Sequence, residues 1–365
     1  MTEPIWQPGR DRIESSNMYR FMGRINEVHG TRLSTYPELY QWSIDHIPDF
    51  WARMWAFADI VHFRPYAEVV DDPYKMPGTR WFSGARLNFA ANLLRYRDDR
   101  PALVFSSEGG RHRRLTYAEL YAETARTAAA LAEAGVRSGD RVAGFMPNLP
   151  ETIIAMLAAA SLGATWSSCS PDFGARGVLD RFGQIAPRVL FAADGYFFKG
   201  KSIDSRPRVR EITAQLPDLE QVVMVPYTEP DPDIGAIPNS VRWADFQRAG
   251  AETLDFAPLP FDHPLYIMYS SGTTGPPKSM VQGAGGVLLQ QLKELLISSY
   301  EKAYDCKEHD HLICTKCGKV IEFCDTRVNE IQDEISRKND FAVSYHSLYF
   351  YGLCSDCRKE ADKEN

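Results

Sequence analysis

Nine residues, Ser270-Ser-Gly-Thr-Thr-Gly-Pro-Pro-Lys278, hold four hydroxyls, two glycines and a lysine. The hydroxyls of Ser270, Ser271, Thr273 and Thr274 and the N–H groups of Gly272 and Gly275 can surround phosphate oxygens, and Lys278 adds a cation. Glycine lets the backbone approach a ligand with no Cβ in the way. The stretch is not a Walker A loop, because Pro277 stands where that motif needs glycine before its lysine. The alternative is an ordinary Gly/Ser turn. A second concentration of chemistry lies further along: six of the seven cysteines fall between Cys306 and Cys357. Cys314-x2-Cys317 and Cys354-x2-Cys357 are two knuckles, each able to put two thiolates on one ion, and four sulfurs make a closed tetrahedral Zn2+ site of structural type. Disulfides are the alternative, and a reducing compartment disfavours them.

The elements that must position these groups are legible in part. Leu265–Tyr269 reads as a short buried strand emptying into the Ser270 loop. Upstream, Tyr36–His46 and Pro48–Phe57 read as helices, and Trp81–Leu94 as a turn feeding another. A βα alternation starts with a strand at Ala102–Phe105. Thr116-x-x-Glu119 is a capping box for a long Ala-rich helix that Gly135 stops. Strands follow at Arg141–Phe145, Ala164–Ser167, Val189–Ala192 and Gln221–Pro226, with helices from Pro150 and over Val178–Ile185. Residues 226–264 hold seven prolines and read as a surface connection. The expected fold class is α/β, a largely parallel sheet covered on both faces, followed by a small α+β zinc-stapled domain. In that tail Val320–Phe323, Phe341–Val343 and Leu348–Tyr351 read as strands. Asp325 caps a helix with Val328, Ile331 and Ile335 on one face.

Composition sets the outer bounds. A length of 365 residues, 44% hydrophobic and 24% charged, suits a soluble chain of two or three domains. The net charge of −7 points to neither nucleic acid nor an anionic membrane. No stretch reads as a membrane span, and the N-terminal residues lack the apolar core of a signal peptide. The expectation is a cytoplasmic protein.

The nine-residue loop resembles the signature of the AMP-forming acyl-CoA synthetases, Ser/Thr-Ser/Thr-Gly-Ser/Thr-Thr-Gly-x-Pro-Lys, at every position. Residues 1–294 further resemble the acetoacetyl-CoA synthetases of that family. The supporting blocks are Trp81-Phe-Ser-Gly-Ala-Arg-Leu-Asn-Phe-Ala90, Gly139-Asp-Arg-Val-Ala-Gly-Phe-Met-Pro-Asn-Leu-Pro-Glu151, Trp166-Ser-Ser-Cys-Ser-Pro-Asp-Phe-Gly174 and Gly177-Val-Leu-Asp-Arg-Phe-Gly-Gln-Ile185. The resemblance implies ATP with Mg2+ held at the loop, an acetoacetyl-AMP intermediate, pyrophosphate release and transfer of the acyl group to CoA. Val281-Gln-Gly-Ala-Gly-Gly286 departs from the family's Val-His-x-x-Gly-Gly at Gln282 alone. Near Glu294 the chain leaves the family, before the segments that supply the adenine and ribose contacts, the hinge and a catalytic lysine. No complete catalytic set is therefore expected, only weak nucleotide binding. Cys169 could be an acyl-carrying nucleophile, but without a partner histidine in its motif it reads as a small buried hydrophobe.

From about Tyr300 the chain resembles the metal-binding dimerisation half of the ferric uptake regulator family, on His309-Asp-His-Leu-Ile-Cys-Thr-Lys-Cys-Gly-Lys-Val-Ile-Glu-Phe323 and His346-Ser-Leu-Tyr-Phe-Tyr-Gly-Leu-Cys354. That resemblance implies a homodimer through the tail. It matches His309, His311 and Glu322 to a metal-sensing site, and Asp310 and His346 to a further one. A solvated acidic turn with stray histidines is the alternative at both. The family's winged helix is missing, so no DNA binding is expected. The chain thus reads as a chimera: a helical segment over 1–100, a partial AMP-binding domain over 101–294, a junction at 295–299 and a metal-binding domain over 300–365. The alternative function is a dimerisation module of such a regulator without its DNA-binding half.

Overall fold

The structure is a computed structural model describing residues 9–270, 275–298, 310–314, 320–323, 326–338, 349–352 and 358. Its helices and strands begin where local chemistry allows. In chain order they open with α1 Arg10–Glu14, α2 Asn17–His29, α3 Tyr36–Asp45, α4 Ile47–Phe57, β1 His62–Arg64, β2 Glu68–Val70, β3 Trp81–Ser83, β4 Arg86–Leu87 and α5 Phe89–Leu93. Next come β5 Pro101–Ser106, β6 His112–Thr116, α6 Tyr117–Glu133, β7 Arg141–Phe145, α7 Pro150–Ser161, β8 Thr165–Cys169 and α8 Ala175–Phe182. After these stand β9 Val189–Ala193, β10 Gly195–Phe198, β11 Lys201–Asp204, α9 Arg206–Thr213, β12 Gln221–Val225, β13 Ser240–Arg242, α10 Trp243–Phe246, β14 Leu259–Pro260, β15 Pro264–Tyr269, β16 Ser279–Gly283 and α11 Ala284–Leu292. A π-helical stretch, Lys293–Ser298, precedes β17 Asp310–Cys314, β18 Val320–Phe323, α12 Thr326–Lys338 and β19 Tyr349–Gly352. They fall into two compact units: Thr35–Lys293, and the described residues before Thr35 with those from Glu294 on.

In the larger unit seven strands form one sheet in the order β13-β12-β9-β7-β8-β15-β16. Every neighbouring pair is parallel except β15 with β16, which is antiparallel. The α/β class with a largely parallel sheet holds. All five residues of β9 are buried, so both faces of the sheet centre are covered. On one face Ala143, Phe145, Leu190, Ala192, Val222 and Met224 pack with Val178 and Phe182 of α8 and Val209 and Ile212 of α9. Strand alternation turns Val142, Phe191 and Val223 to the opposite face. Gly144 meets the ring of Trp166 there, and a Cβ on it would lie 2.7 Å from that ring, so only glycine fits.

The capping box is real: Thr116 N donates to Glu119 Oε2 at 2.8 Å, and Glu119 N to Thr116 Oγ1 at 3.1 Å. Beyond the end of α6, Gly135 takes φ +85°.

Four readings need correction. The strand at 101–106 does not join the main sheet; it pairs antiparallel with β6, a strand that its polar His112-Arg-Arg sequence concealed. The 226–264 connection carries β13, which extends the sheet beside β12, as well as α10 and β14. The helix of 178–185 ends at Phe182, with Gly183 as C-cap. β15 is not a buried run: only Leu265 is buried, and Met268 is 54% exposed. A strand flanked by an antiparallel edge neighbour keeps one side near solvent. The stretch before residue 100 holds the three expected helices as α3, α4 and α5, with α1, α2 and four short strands besides.

In the smaller unit β17 lies between β18, antiparallel, and β19, parallel. β18 and β19 match the expected strands, and α12 the expected helix. On that helix Ile331 and Ile335 are 57% and 54% exposed. Asp325 and Phe341–Val343 lie outside the described residues.

Asn88 ties the larger unit together from the Trp81–Ala90 block. Fully buried, its Nδ2 donates to Ala160 O at 3.1 Å, Ser161 O at 3.0 Å and Ala257 O at 3.0 Å. Its Oδ1 caps α5 by accepting from Ala90 N at 2.9 Å and Ala91 N at 3.3 Å. Asn88→Ala removes a cap and leaves buried carbonyls unsatisfied. The expected cost is about 3 kcal/mol, read as a lower urea midpoint by tryptophan fluorescence.

Candidate functional site

The loop of Ser270–Lys278 hangs between two strands whose pairing is fixed. β15 runs parallel to β8 with Tyr266 opposite Trp166 and Ile267 opposite Ser167. It returns as β16, with Met268 opposite Met280 and Tyr269 opposite Ser279. The loop therefore leaves the sheet at the C-terminal ends of the parallel strands, where open α/β sheets place their ligands.

Its base is closed by two bonds: Ser270 N donates to Lys278 O at 3.1 Å, and Lys278 N to Ser270 Oγ at 3.3 Å. Gly275 has φ +156°, and a Cβ built there would meet no described atom within 4 Å. Lys278 is exposed. Ser271, Gly272, Thr273 and Thr274 lie outside the described residues.

Helix α8 braces the base. Tyr269 Oη donates to Arg181 O at 3.2 Å, and Ser167 Oγ lies 2.8 Å from Ile267 O and 3.2 Å from Tyr269 Oη. Burial raises the Tyr269 phenol, the Ser167 contact partly opposing this, so the hydroxyl keeps its proton and remains a donor. Burial likewise pushes the Tyr266 phenol up to about 12. Gln184, just past α8, reaches the loop: its Nε2 donates to Pro277 O at 2.9 Å and its Oε1 accepts from Ser279 Oγ at 3.0 Å.

A cleft of about 370 Å3 opens above β7 and β8, lined in part by Asn148, Ser168, Cys169, Ser170, Tyr196 and Tyr227. Sequence reasoning assigned it no role. The available signal was position, since Pro147-Asn148 and Ser170-Pro171-Asp172 begin within two residues of the ends of β7 and β8. Asp194, 1% exposed, sets the Tyr227 wall by accepting from Tyr227 N at 2.6 Å, Thr228 Oγ1 at 2.7 Å and Glu229 N at 2.7 Å.

Cys169 is 4% exposed at the end of β8. Burial lifts its thiol to about 12, against the smaller opposing pull of Arg181. The reading as a small buried hydrophobe holds.

Residues 89–316 match the family model of the AMP-binding enzymes. The chain belongs to that family. Residues 36–93 match the acetyl-coenzyme A synthetase N-terminus, and residues 288–351 the ferric uptake regulator family, so the first and last matches overlap at 288–316. The acetoacetyl-CoA synthetase of Xenopus tropicalis is 43% identical over 303 residues, 80% of this chain and 45% of that protein. The acetoacetyl-coenzyme A synthetase of Rhizobium meliloti (strain 1021) is 45% identical over 294 residues, again 80% of this chain and 45% of the relative. A malonamoyl-CoA synthetase of Penicillium aethiopicum is 39% identical over 311 residues, 81% of this chain and 43% of its own. The solved acetoacetyl-CoA synthetase from Streptomyces lividans superposes with a TM-score of 0.77 at 36% identity, covering 96% of this chain and 52% of that one. The chain thus spans about half the length of the relatives it matches.

Of the candidate metal ligands, Cys314, Asp310 and His311 lie on β17 and Glu322 on β18 by backbone. Cys317, Cys354, Cys357, His309 and His346 fall outside the described residues, as do Cys306 and Cys324. The register sets His311 opposite Glu322 across β17 and β18. Among the described residues no group of three or more His, Cys, Asp or Glu could hold a metal. Nor is any described helix long and apolar enough to cross a membrane.

With its pKa near 12, the Cys169 thiol stays protonated throughout the neutral and mildly alkaline range. Iodoacetamide at pH 8 should leave the Cys169 peptide unlabelled in the native chain and label it in urea. Mass spectrometry reads both, and rapid native labelling would refute the burial argument.

Proposed function

We propose that the Ser270–Lys278 loop grips the phosphates of ATP, and that the ligase chemistry it serves is activation of acetoacetate for transfer to CoA. One observation carries this: a hydroxyl- and glycine-rich loop with one exposed lysine, closed at its base and mounted at the C-terminal ends of β8 and β15. The loop's donors suit phosphate oxygens, and Mg2+ bound with ATP would neutralise part of the triphosphate charge. Acetoacetate is favoured because the relatives from Xenopus and Rhizobium carry that activity in their names. In this reading the chain is a truncated synthetase. It supplies the phosphate grip and a strand-end cleft but not a full catalytic set, so ATP binds weakly and the chain does not turn over alone.

We infer a structural Zn2+ on Cys314, Cys317, Cys354 and Cys357, fused to the synthetase part within residues 288–316. The strand register supports it. β17 and β19 are parallel with Cys314 opposite Gly352, so the two strands that run up to the Cys-x2-Cys segments in sequence end at the same side of their sheet. Four thiolates are the donor set that a tetrahedral zinc requires. Second ions at His309, His311 and Glu322, or at Asp310 and His346, extend this reading, with the His311–Glu322 register in their favour. A homodimer through the tail extends it too.

Three readouts test the proposal. Calorimetry should show weak ATP binding, reduced about tenfold or more by Lys278→Ala, since a charge-assisted contact is worth about 1.5–3 kcal/mol. Acetoacetate-dependent pyrophosphate release should be absent; turnover that vanishes in Lys278→Ala would show the chain to be a complete ligase. Metal analysis should find one Zn2+ per chain, lost in Cys317→Ser together with the tail's protease resistance. Equal zinc content in the two proteins would rule out this site.

A further inference from the structure

Gln184 stands 93 residues before Pro277 in sequence, yet one amide group holds the residues on both sides of Lys278. Its Nε2 donates to Pro277 O at 2.9 Å, and its Oε1 accepts from Ser279 Oγ at 3.0 Å. The same Nε2 donates to Asp180 O at 2.6 Å, so the side chain is anchored to α8 before it reaches the loop. The peptide groups of Lys278 itself are taken by Ser270, through N–H to Oγ at 3.3 Å and C=O from N–H at 3.1 Å. A lysine on a free loop loses conformational entropy when it meets a phosphate; one whose backbone is already fixed loses less.

We propose that Gln184 is a positioning residue for Lys278: it fixes the loop's exit strand so that the ammonium group is presented to an anionic phosphate ligand. The proposal rests on the phosphate reading above for its ligand, but not for its contact. Gln184 acts through Pro277 and Ser279. An amide is required, because one bond needs a donor and the other an acceptor on the same planar group.

The experiment compares the full chain with Gln184→Ala, Gln184→Met and each combined with Lys278→Ala. Hydrogen exchange over residues 275–283 and calorimetric affinity for ATP and for pyrophosphate are measured. Exchange in that segment should rise in both single variants with the thermal midpoint unchanged, Met included, because packing without hydrogen bonds does not restore the clamp. Affinity should fall about tenfold, equivalent to about 1.4 kcal/mol. In the Lys278→Ala background the same substitutions should change affinity less than twofold, which a general loss of stability would not reproduce. Unchanged exchange, or a full tenfold loss persisting without Lys278, overturns the proposal. Failure of the parent chain to bind ATP or pyrophosphate refutes the phosphate reading instead, and the exchange result still decides the Gln184 contact.

Discussion

The parallel pairing of β15 with β8 is the constraint on which the site depends. The two strands are about a hundred residues apart in the chain, yet Tyr266–Trp166 and Ile267–Ser167 stand side by side. A parallel ladder puts all its C-terminal ends at one edge, so the segments after β7, β8 and β15 must emerge together. The cleft walls Asn148 and Ser170 and the Ser270 loop share that edge for this reason. The antiparallel return of β16 then forces the loop to close on itself at once, with Ser270 bonded to Lys278.

Around this edge the fold uses buried polar side chains as rivets. Asn88 satisfies carbonyls of α7 and of the segment before β14, and Asp194 gathers the amides that follow β12. Each satisfies several backbone groups at once, and so extends the hold of the β4–β14 and β9–β12 ladders into the segments beside them. Aromatic rings fill the remaining gaps: Trp55 stacks on Phe82 at 4.8 Å, and Phe82 lies 4.8 Å from Phe261, linking α4, β3 and the approach to β15.

The smaller unit follows the same logic on a lesser scale. Its three strands place β17 in the centre, where one neighbour is parallel and the other antiparallel. The parallel neighbour sets Cys314 opposite Gly352, and the antiparallel one sets His311 opposite Glu322.

The sequence by itself determined what is local. Caps, helix stops and apolar runs act over a few residues, so the Thr116–Glu119 box, the Gly135 stop and the cores of β7, β8, β9 and β12 were readable one by one. The Ser270–Lys278 motif was equally legible as a pattern, because it is written in consecutive residue types. What required the tertiary structure was everything set by pairing at a distance. The sheet order, the partner of β5, the edge strand β13 with its mixed Ser240-Val-Arg242 sequence, and the half-exposure of β15 all depend on which strands lie beside which. No periodicity within a strand records its neighbour. Gln184 was hidden for the same reason. Beside α8 it is one more polar residue, and only the fold carries its amide to either side of Lys278.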